Sequence, residues 1–209
     1  MPLFKIDGIG VDLSRFCPVM DEEKARLRGE YGYAADDFIL LYIAEFIPRK
    51  NHAFLLQQIP ELQKSIKNLK LIFAGKGELF DECKKIAEEL NIAPIIAFLG
   101  YRNDIDVLCK IADVHVAPSK QEGQGLNNIE SMACGLPIVA SKIRGHSDVI
   151  THGHNGFLFD LHKPDEMTAA IITLYRNPEL RREMSQNNIV DAKKYSLETA
   201  VQKMAYIYN

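Results

Sequence analysis

Short apolar segments alternate along this chain with longer segments that mix apolar and charged residues. Six apolar segments have the length of strands rather than of buried helices, at 38–44, 69–74, 95–99, 114–117, 136–140 and 156–160. Segments that are apolar at nearly every position are typical of strands covered by helices on both faces. The pattern therefore predicts a largely parallel sheet.

Longer segments before, between and after these strands predict helices. They lie at 21–31, 51–65, 79–90, 103–112, 126–134, 164–176, 178–194 and 197–208, while 145–155 is predicted to be mostly loop. The first of them is rich in Glu, Lys and Arg with few apolar residues, which is typical of a surface helix. We expect Asn51 to cap the second helix and Asn103 or Asp104 to cap the fourth. The alternation predicts an α/β fold with a Rossmann-like doubly wound parallel sheet. Ligands bind such sheets beyond the carboxyl ends of the strands.

Composition narrows the class of protein. The 209 residues are 47% hydrophobic and 25% charged, with a net charge of −3, which disfavours an electrostatic nucleic-acid binder. The four cysteines have no C-x-x-C spacing, so we expect reduced, buried thiols in a cytoplasmic protein. No apolar run reaches the length of a membrane span.

The segment PSKQEGQGLNNIESMACGLPIVAS, residues 118–141, has the strongest chemical signal. Gly123 and Gly125 allow a close approach of the backbone to a ligand, and the helix predicted behind them presents free N–H groups. Such a helix start favours an anion, for example a diphosphate. Glu122 and Glu130 have the separation needed to bracket a nucleotide sugar, although Glu130 alone would be an ordinary surface carboxylate.

This segment resembles the donor-site signature of the retaining GT-B glycosyltransferases, glycosyltransferase family 4 or group 1. The shared pattern is Glu-x7-Glu around Gly-x-Gly-Leu, followed by A-C-G-x-P-I-V-A, and the resemblance extends from Gly8 to about Tyr208. It implies the C-terminal, nucleotide-sugar-binding half of a GT-B enzyme. That enzyme would transfer a sugar from a nucleoside diphosphate sugar to a glycan or lipid-linked acceptor, with retention at the anomeric carbon and without a metal or other cofactor.

The resemblance also implies roles for individual residues. Glu130 would bind the ribose hydroxyls, and Glu122 the hydroxyls of the donor sugar. Lys50 would hold the diphosphate and stabilise leaving-group charge, so Glu122 and Lys50 are the catalytic candidates. The remaining donor-binding candidates are Arg49, Gly75, Gly100, Tyr101, Arg102, Gly123, Gln124, Gly125 and Leu126.

Two positions depart from the family pattern. Glu45 stands where the family has an arginine that contacts the diphosphate. Because a carboxylate repels a diphosphate, we expect Glu45 to point away, to pair with Arg49 or Lys50, or to face a sugar hydroxyl. Gln124 stands where the family often has an aromatic residue, which implies a more polar sugar pocket.

Other motifs favour simpler interpretations. The sequence Gly75-Lys76-Gly77 lacks the third glycine of a dinucleotide fingerprint. Asp104 and Asp106 form a D-x-D sequence that helix capping and a favourable first-turn position explain without a metal. His152 and His154 have no third candidate ligand, so we predict an ordinary loop there rather than a zinc site.

The resemblance predicts three parts of the chain: an interdomain linker at 1–16, the nucleotide-sugar-binding domain at 17–195, and a helix at 196–209 that crosses to a missing N-terminal domain. An apolar face on that helix should include Val201, Met204 and Ile207. The full enzyme would work at the inner face of the membrane, with peripheral association. The alternatives are a stand-alone nucleotide-sugar-binding module without transferase activity and, less favoured, a sugar-nucleotide epimerase.

Overall fold

Six parallel strands form one sheet in the computed structural model, which describes residue 8 and residues 10–208 except the side chains of 207 and 208. The order across the sheet is β3-β2-β1-β4-β5-β6, with β1 Phe38–Ile43, β2 Leu69–Ala74, β3 Ile96–Phe98, β4 Val114–Ala117, β5 Ile138–Ser141 and β6 Gly156–Phe159. The predicted Rossmann-like doubly wound sheet is confirmed. The chain moves outward from β1 to β3 and then returns to place β4 beside β1, so the strand order reverses between β1 and β4.

Helices cover both faces of the sheet because their apolar stripes pack on its buried strands. They are α1 Asp21–Glu30, α2 His52–Ser65, α3 Phe80–Glu89, α4 Ile105–Ile111, α5 Leu126–Ala133, α6 Arg144–Ser147, α7 Pro164–Arg176, α8 Pro178–Ala192 and α9 Leu197–Tyr208. Contacts join α2 to α3 and α7, and they join α1 to α4, α4 to α5, and α5 to α8. Single 3-10 turns occupy Pro48–Lys50, Ala93–Ile95 and Lys193–Tyr195.

Local structure differs from prediction at three places. The short helix α6, Arg144–Ser147, overlaps the start of the predicted loop at 145–155. Asn51 does not cap α2, because its backbone is left-handed, with φ of 59°, and its amide Nδ2 instead donates to the carbonyl of Pro118 at 3.2 Å. Asp104 stands at the N-cap position of α4, but its carboxylate binds Arg102 and Tyr31 rather than the helix N–H groups. Neither side chain therefore caps its helix, and each has a partner more than 60 residues away, Pro118 for Asn51 and Tyr31 for Asp104.

The described part of the predicted linker packs against the start of α9. Val11 forms a parallel bridge with Ser196, and the backbone N–H of Leu197 donates to the carbonyl of Val11 at 2.9 Å. Residues 1–7 and 9 of that linker lie outside the described residues. Two predicted apolar positions of α9, Val201 and Met204, are 59% and 42% exposed, whereas the third, Ile207, lies outside the described side chains.

None of the helices within the described residues is both long enough and apolar enough to cross a bilayer.

Candidate functional site

The predicted site residues gather at the point where the strand order reverses. The loop after β1 carries Arg49 and Lys50, and the loop after β4 carries Glu122 and the glycines. Where the connections after two adjacent parallel strands run in opposite directions, a crevice opens between the carboxyl ends of those strands. Doubly wound sheets bind their ligands in this crevice. The strand order therefore brings two distant sequence motifs to one place.

A buried ion pair joins these two loops. The ammonium of Lys50 contacts Oε1 of Glu122, and the side chains are only 11% and 7% exposed. Arg49 approaches the other carboxylate oxygen, with 3.6 Å between Nη1 and Oε2, and the hydroxyl of Ser119 donates to Oε1 at 2.8 Å. The Glu122 carboxylate is thus shared by two cations and a hydroxyl.

Hydrogen bonds between the two loops hold this ion pair in place. The phenol of Tyr42, buried on β1, donates to the carbonyl of Lys50 at 2.7 Å and lies 3.1 Å from the hydroxyl of Ser119. The backbone N–H of Lys120 donates to the carbonyl of Arg49 at 2.7 Å. Sequence reasoning missed Tyr42 and Ser119. A hydroxyl group near the end of each of these two apolar strands could have indicated them, because a buried hydroxyl needs a hydrogen-bond partner.

The glycine loop leads directly into α5. Gly125 occupies the N-cap position with φ of 65°, and it has no side chain with which to cap the first N–H groups of the helix. The first turn of α5 contains no acidic residue that would compete with an anion. Gly123 is exposed, and a Cβ added there would meet nothing within 4 Å. These features leave the positive end of α5 accessible.

Two residues that follow β5, Gly145 and His146, pack beneath the glycine loop. Sequence reasoning missed both of them. Gly145 leaves no room for a side chain, since a Cβ there would lie 2.4 Å from the carbonyl oxygen of Gly123. His146 is fully buried, with Nδ1 2.9 Å from the carbonyl oxygen of Ser141, and burial lowers the pKa of its imidazole. The hydroxyl of Ser141 in turn donates to the carbonyl of Ser119. The ends of β4 and β5 are therefore linked under the loop.

Glu130 lies within α5 and contrasts with Glu122. It is half-buried, and its carboxylate makes no hydrogen bond or ion pair with any other residue that the structure describes. Burial raises the pKa of Glu130 to about 7, against a smaller opposing effect from the charge of Arg15. A carboxylate that is desolvated without a partner is costly, and such groups are enriched at functional sites.

The loops after β2 and β3 also lie at the carboxyl ends of the strands, next to the loop after β1. The N–H of Gly75 donates to the carbonyl of Gly100 at 2.7 Å, and a Cβ at Gly75 would lie 1.9 Å from the carbonyl oxygen of Ala44. Gly75 therefore has a packing reason to be glycine. Tyr101 is 69% exposed, and the guanidinium of Arg102 is paired with Asp104.

Glu45 is exposed and pairs with neither Arg49 nor Lys50, which both pair with Glu122, so this one of the three arrangements predicted for Glu45 is excluded. Asp104 binds Arg102 and Tyr31, whereas Asp106 binds Arg15 and Lys110. Within residue 8 and residues 10–208, no group of three or more His, Cys, Asp or Glu residues is arranged to hold a metal ion.

The fold and the site together define a Rossmann-like α/β domain of the kind found in GT-B glycosyltransferases. The family described as Glycosyl transferases group 1 matches residues 23–191. The chain therefore belongs to the group 1 glycosyl transferases.

Relatives and solved structures agree with this assignment. The chain is 40% identical over 205 residues to a putative glycosyltransferase, EpsD, of Bacillus subtilis, covering 98% of this chain and 54% of that protein. It is 29% identical to a UDP-Gal:alpha-D-GlcNAc-diphosphoundecaprenol alpha-1,3-galactosyltransferase of Escherichia coli, covering 78% of this chain and 43% of that protein. The chain thus spans about half the length of these relatives.

Two solved structures illustrate the shared fold. HepE of Anabaena, solved with UDP and glucose, superposes with a TM-score of 0.86 at 23% identity, covering 95% of this chain and 55% of that one. Sucrose-phosphate synthase of Thermosynechococcus elongatus gives a TM-score of 0.86 at 25% identity, covering 98% and 51%.

Proposed function

We propose that this chain is the donor-binding domain of a retaining glycosyltransferase that takes its sugar from a nucleoside diphosphate sugar. The observation that carries the proposal is the pairing of Lys50 with Glu122 beside the uncapped start of α5, at the reversal of the strand order. Cationic and N–H groups converge there with two carboxylates, which matches the anionic and hydroxyl-rich halves of a nucleotide sugar. The family membership and the UDP-bound neighbour HepE support the same assignment.

The diphosphate would lie between Lys50 and the N–H groups of residues 123–126. Arg49, Lys50 and Glu122 together have a net charge of +1, so the cluster still attracts an anion although Glu122 neutralises one cation. These groups, rather than a metal ion, would stabilise the charge that develops on the leaving diphosphate. Glu122 would then accept hydrogen bonds from donor-sugar hydroxyls.

Glu130 would accept two hydrogen bonds from the ribose. Its carboxylate is half-buried and has no partner among the described residues, so a pair of hydroxyls would satisfy it. In this arrangement Gly100, Tyr101 and Arg102 would lie beside the base, because their loop follows β3 at the same edge of the sheet.

The acceptor would be a glycan or lipid-linked sugar held by a second domain. The relatives are about twice as long as this chain, which leaves room for such a domain. The exposed apolar residues of α9, Val201 and Met204, provide a face for it to cover. Peripheral association of the whole enzyme with a membrane would follow from a lipid-linked acceptor.

Calorimetric titration of the chain with UDP-, GDP- and ADP-sugars tests this function and identifies the nucleotide. We expect one of the three nucleotides to bind, and Glu130→Gln to weaken it about ten- to a hundredfold, because charge-assisted hydrogen bonds are worth about 1.5–3 kcal/mol. Glu89→Gln, on the exposed side of α3, is the matched control and should leave binding unchanged.

Absence of binding by every nucleotide sugar, with the fold intact, would refute the donor-binding function. Binding that Glu130→Gln leaves unchanged would refute only the ribose assignment.

A further inference from the structure

A cavity of about 450 Å³ lies at the opposite edge of the sheet from the proposed donor site. It is located at the amino ends of β4 and β5, between residues of α1 and α8, and its walls include Asp113, Gly135 and Pro137. Its size is within the range of small-molecule sites, about 300–1,000 Å³. The donor-site residues are not among those that line it.

The cavity wall contains more basic than acidic residues. Five of its residues are basic and two are acidic, namely Lys24, Arg28, Lys110, Arg181 and Arg182 against Asp21 and Asp113. Lys110 and Arg182 pair with carboxylates outside the wall, whereas no described carboxylate outside the wall pairs with the other three cations. Among the described residues, Asp113 is the one carboxylate that pairs with Lys24 and with Arg28, and it also attracts Arg181.

Arg181 has hydrogen-bonding capacity that the protein does not use. Its Nη1 donates to the carbonyls of Leu174 and Tyr175, at the end of α7, which holds the guanidinium in place. Its Nε and Nη2 have no hydrogen-bond partner among the residues that the structure describes, and the guanidinium lies over the ring of Phe38, with Cζ 5.5 Å from the ring centroid. Nε and Nη2 form the side of a guanidinium that binds two oxygens of a phosphate or carboxylate at once.

Lys24 also has a hydrogen-bond donor that the described residues leave unused. Its ammonium donates to the carbonyl of Ala112 at 2.7 Å and to Asp113 at 3.1 Å, so one of its three protons has no partner among the described residues. Burial lowers the pKa of Lys24, and the charges of Arg28 and Arg181 lower it further against the effect of Asp113. An anion in the cavity would offset the repulsion among these cations.

We propose that this cavity is a binding site for a small phosphorylated compound, whose phosphate is held by the Nε–Nη2 side of Arg181 and by Lys24. A phosphate has more acceptor oxygens than a monocarboxylate, so it can accept from the paired donors of Arg181 and from Lys24 at the same time. The volume leaves room for a substituent beyond the phosphate. The site is separate from the proposed donor site and does not depend on it.

Nuclear magnetic resonance of the purified chain tests the proposal through its arginine Nε signals. Inorganic phosphate, titrated at constant ionic strength, should shift the Arg181 signal in a saturable way, and acetate should bind more weakly. Glucose 1-phosphate should bind at least as tightly as inorganic phosphate if the cavity takes a phosphorylated metabolite. Tighter binding of inorganic phosphate would identify the free ion as the ligand.

Arg181→Lys retains the charge but loses the paired donors, and it should weaken phosphate roughly ten- to a hundredfold. Backbone signals of Gly135 and Ser185, which line the cavity, report binding in that variant. Lys24→Gln should weaken phosphate by a smaller factor. Arg176→Gln, at the exposed end of α7 and outside the cavity, is the matched control and should have no effect.

The proposal is overturned if the Arg181 signal does not move, or if the Arg176 signal moves as much as that of Arg181. It is also overturned if Arg181→Lys binds phosphate as tightly as the unchanged chain. Neither result would bear on nucleotide-sugar binding at the other edge of the sheet.

Discussion

The amino ends and the carboxyl ends of the parallel strands lie at opposite sides of the sheet, which we call the amino edge and the carboxyl edge. Each has a largely buried carboxylate shared by two cations, Asp113 at the amino edge and Glu122 at the carboxyl edge. The two sites differ in what else these groups bind. At the amino edge, Asp113 also accepts from the backbone N–H of Ile39 at 2.8 Å, and Arg28 donates to the carbonyls of Ile111, Ala35 and Asp37. At the carboxyl edge, the partners of the Glu122 carboxylate among the described residues are side chains, including Lys50 and Ser119.

This difference separates a structural ion pair from one that a ligand can rearrange. Breaking the Arg28–Asp113 pair would leave several backbone groups without partners, so its role is to hold α1 against β1 and β4. Moving Lys50 away from Glu122 costs no backbone hydrogen bond. A diphosphate could therefore replace Glu122 as the partner of Lys50.

The largest expected effect concerns chemistry at the carboxyl edge. We predict that this chain alone binds a nucleotide sugar but does not transfer the sugar, because in the proposed function it would form one wall of a cleft whose other wall belongs to a second domain. Alignment of acceptor with donor can lower a barrier by about 7–11 kcal/mol, and one domain forgoes most of that. Incubation with a UDP-sugar panel and lipid-linked acceptors, followed by assay of released UDP, measures it. Turnover at ordinary enzymatic rates would show the prediction to be wrong.

The next effect concerns stability at the amino edge. Arg28→Ala should lower the free energy of unfolding by about 3–5 kcal/mol, because Asp113 and the carbonyls would be left buried without their partner. Urea denaturation measures the loss. Arg26→Ala, whose ion pairs with Glu23 and Glu30 are exposed, is the control and should change stability little. Equal losses in the two variants would contradict a special role for the amino-edge ion pair.

Glu130 should show opposite effects on binding and on stability. Its pKa of about 7 in the folded chain lies above its ordinary value of 4.5, so the folded state holds this proton more tightly than the unfolded state. Protonated Glu130 therefore contributes to the free energy of unfolding in full below pH 4.5. This contribution is lost as the pH rises through about 7. Glu130→Gln should accordingly unfold at higher urea than the unchanged chain at pH 8, and this gain should vanish near pH 4.5.

Nucleotide binding should follow the reverse course with pH. Because the proposed ribose contact uses the ionised carboxylate, affinity of the unchanged chain should fall as the pH drops through about 7. Glu130→Gln should lack this particular dependence. An identical pH profile in both proteins would assign the dependence to another group.

The smallest effects distinguish the charges around the diphosphate. Lys50→Ala should weaken UDP far more than uridine, since only UDP has the diphosphate. Glu45→Arg should leave UDP binding unchanged or make it tighter, because it removes an exposed negative charge at that edge. Calorimetry with UDP and uridine measures both. Loss of UDP binding in a folded Glu45→Arg chain would mean that Glu45 contacts the ligand directly.

The sequence was sufficient for the strands, the helices and the position of the glycine loop. Those features depend on the periodicity of apolar residues and on the positions of glycines. Both are local properties that a short stretch of sequence contains. It was insufficient for α6 and for the caps at Asn51 and Asp104, where the polar side chains bind partners far along the chain. It also did not reveal that Glu130 lacks a partner, since burial of a helical carboxylate depends on what packs beside the helix.

By itself, then, the amino-acid sequence determined an alternating α/β chain with a glycine loop that follows a buried strand and leads into a helix. Only the tertiary structure decided which loops meet at that place. Lys50 and Glu122 are 72 residues apart, and they come together because β4 returns to lie beside β1. Strand order is set by the packing of the whole domain, which no local pattern of residues specifies.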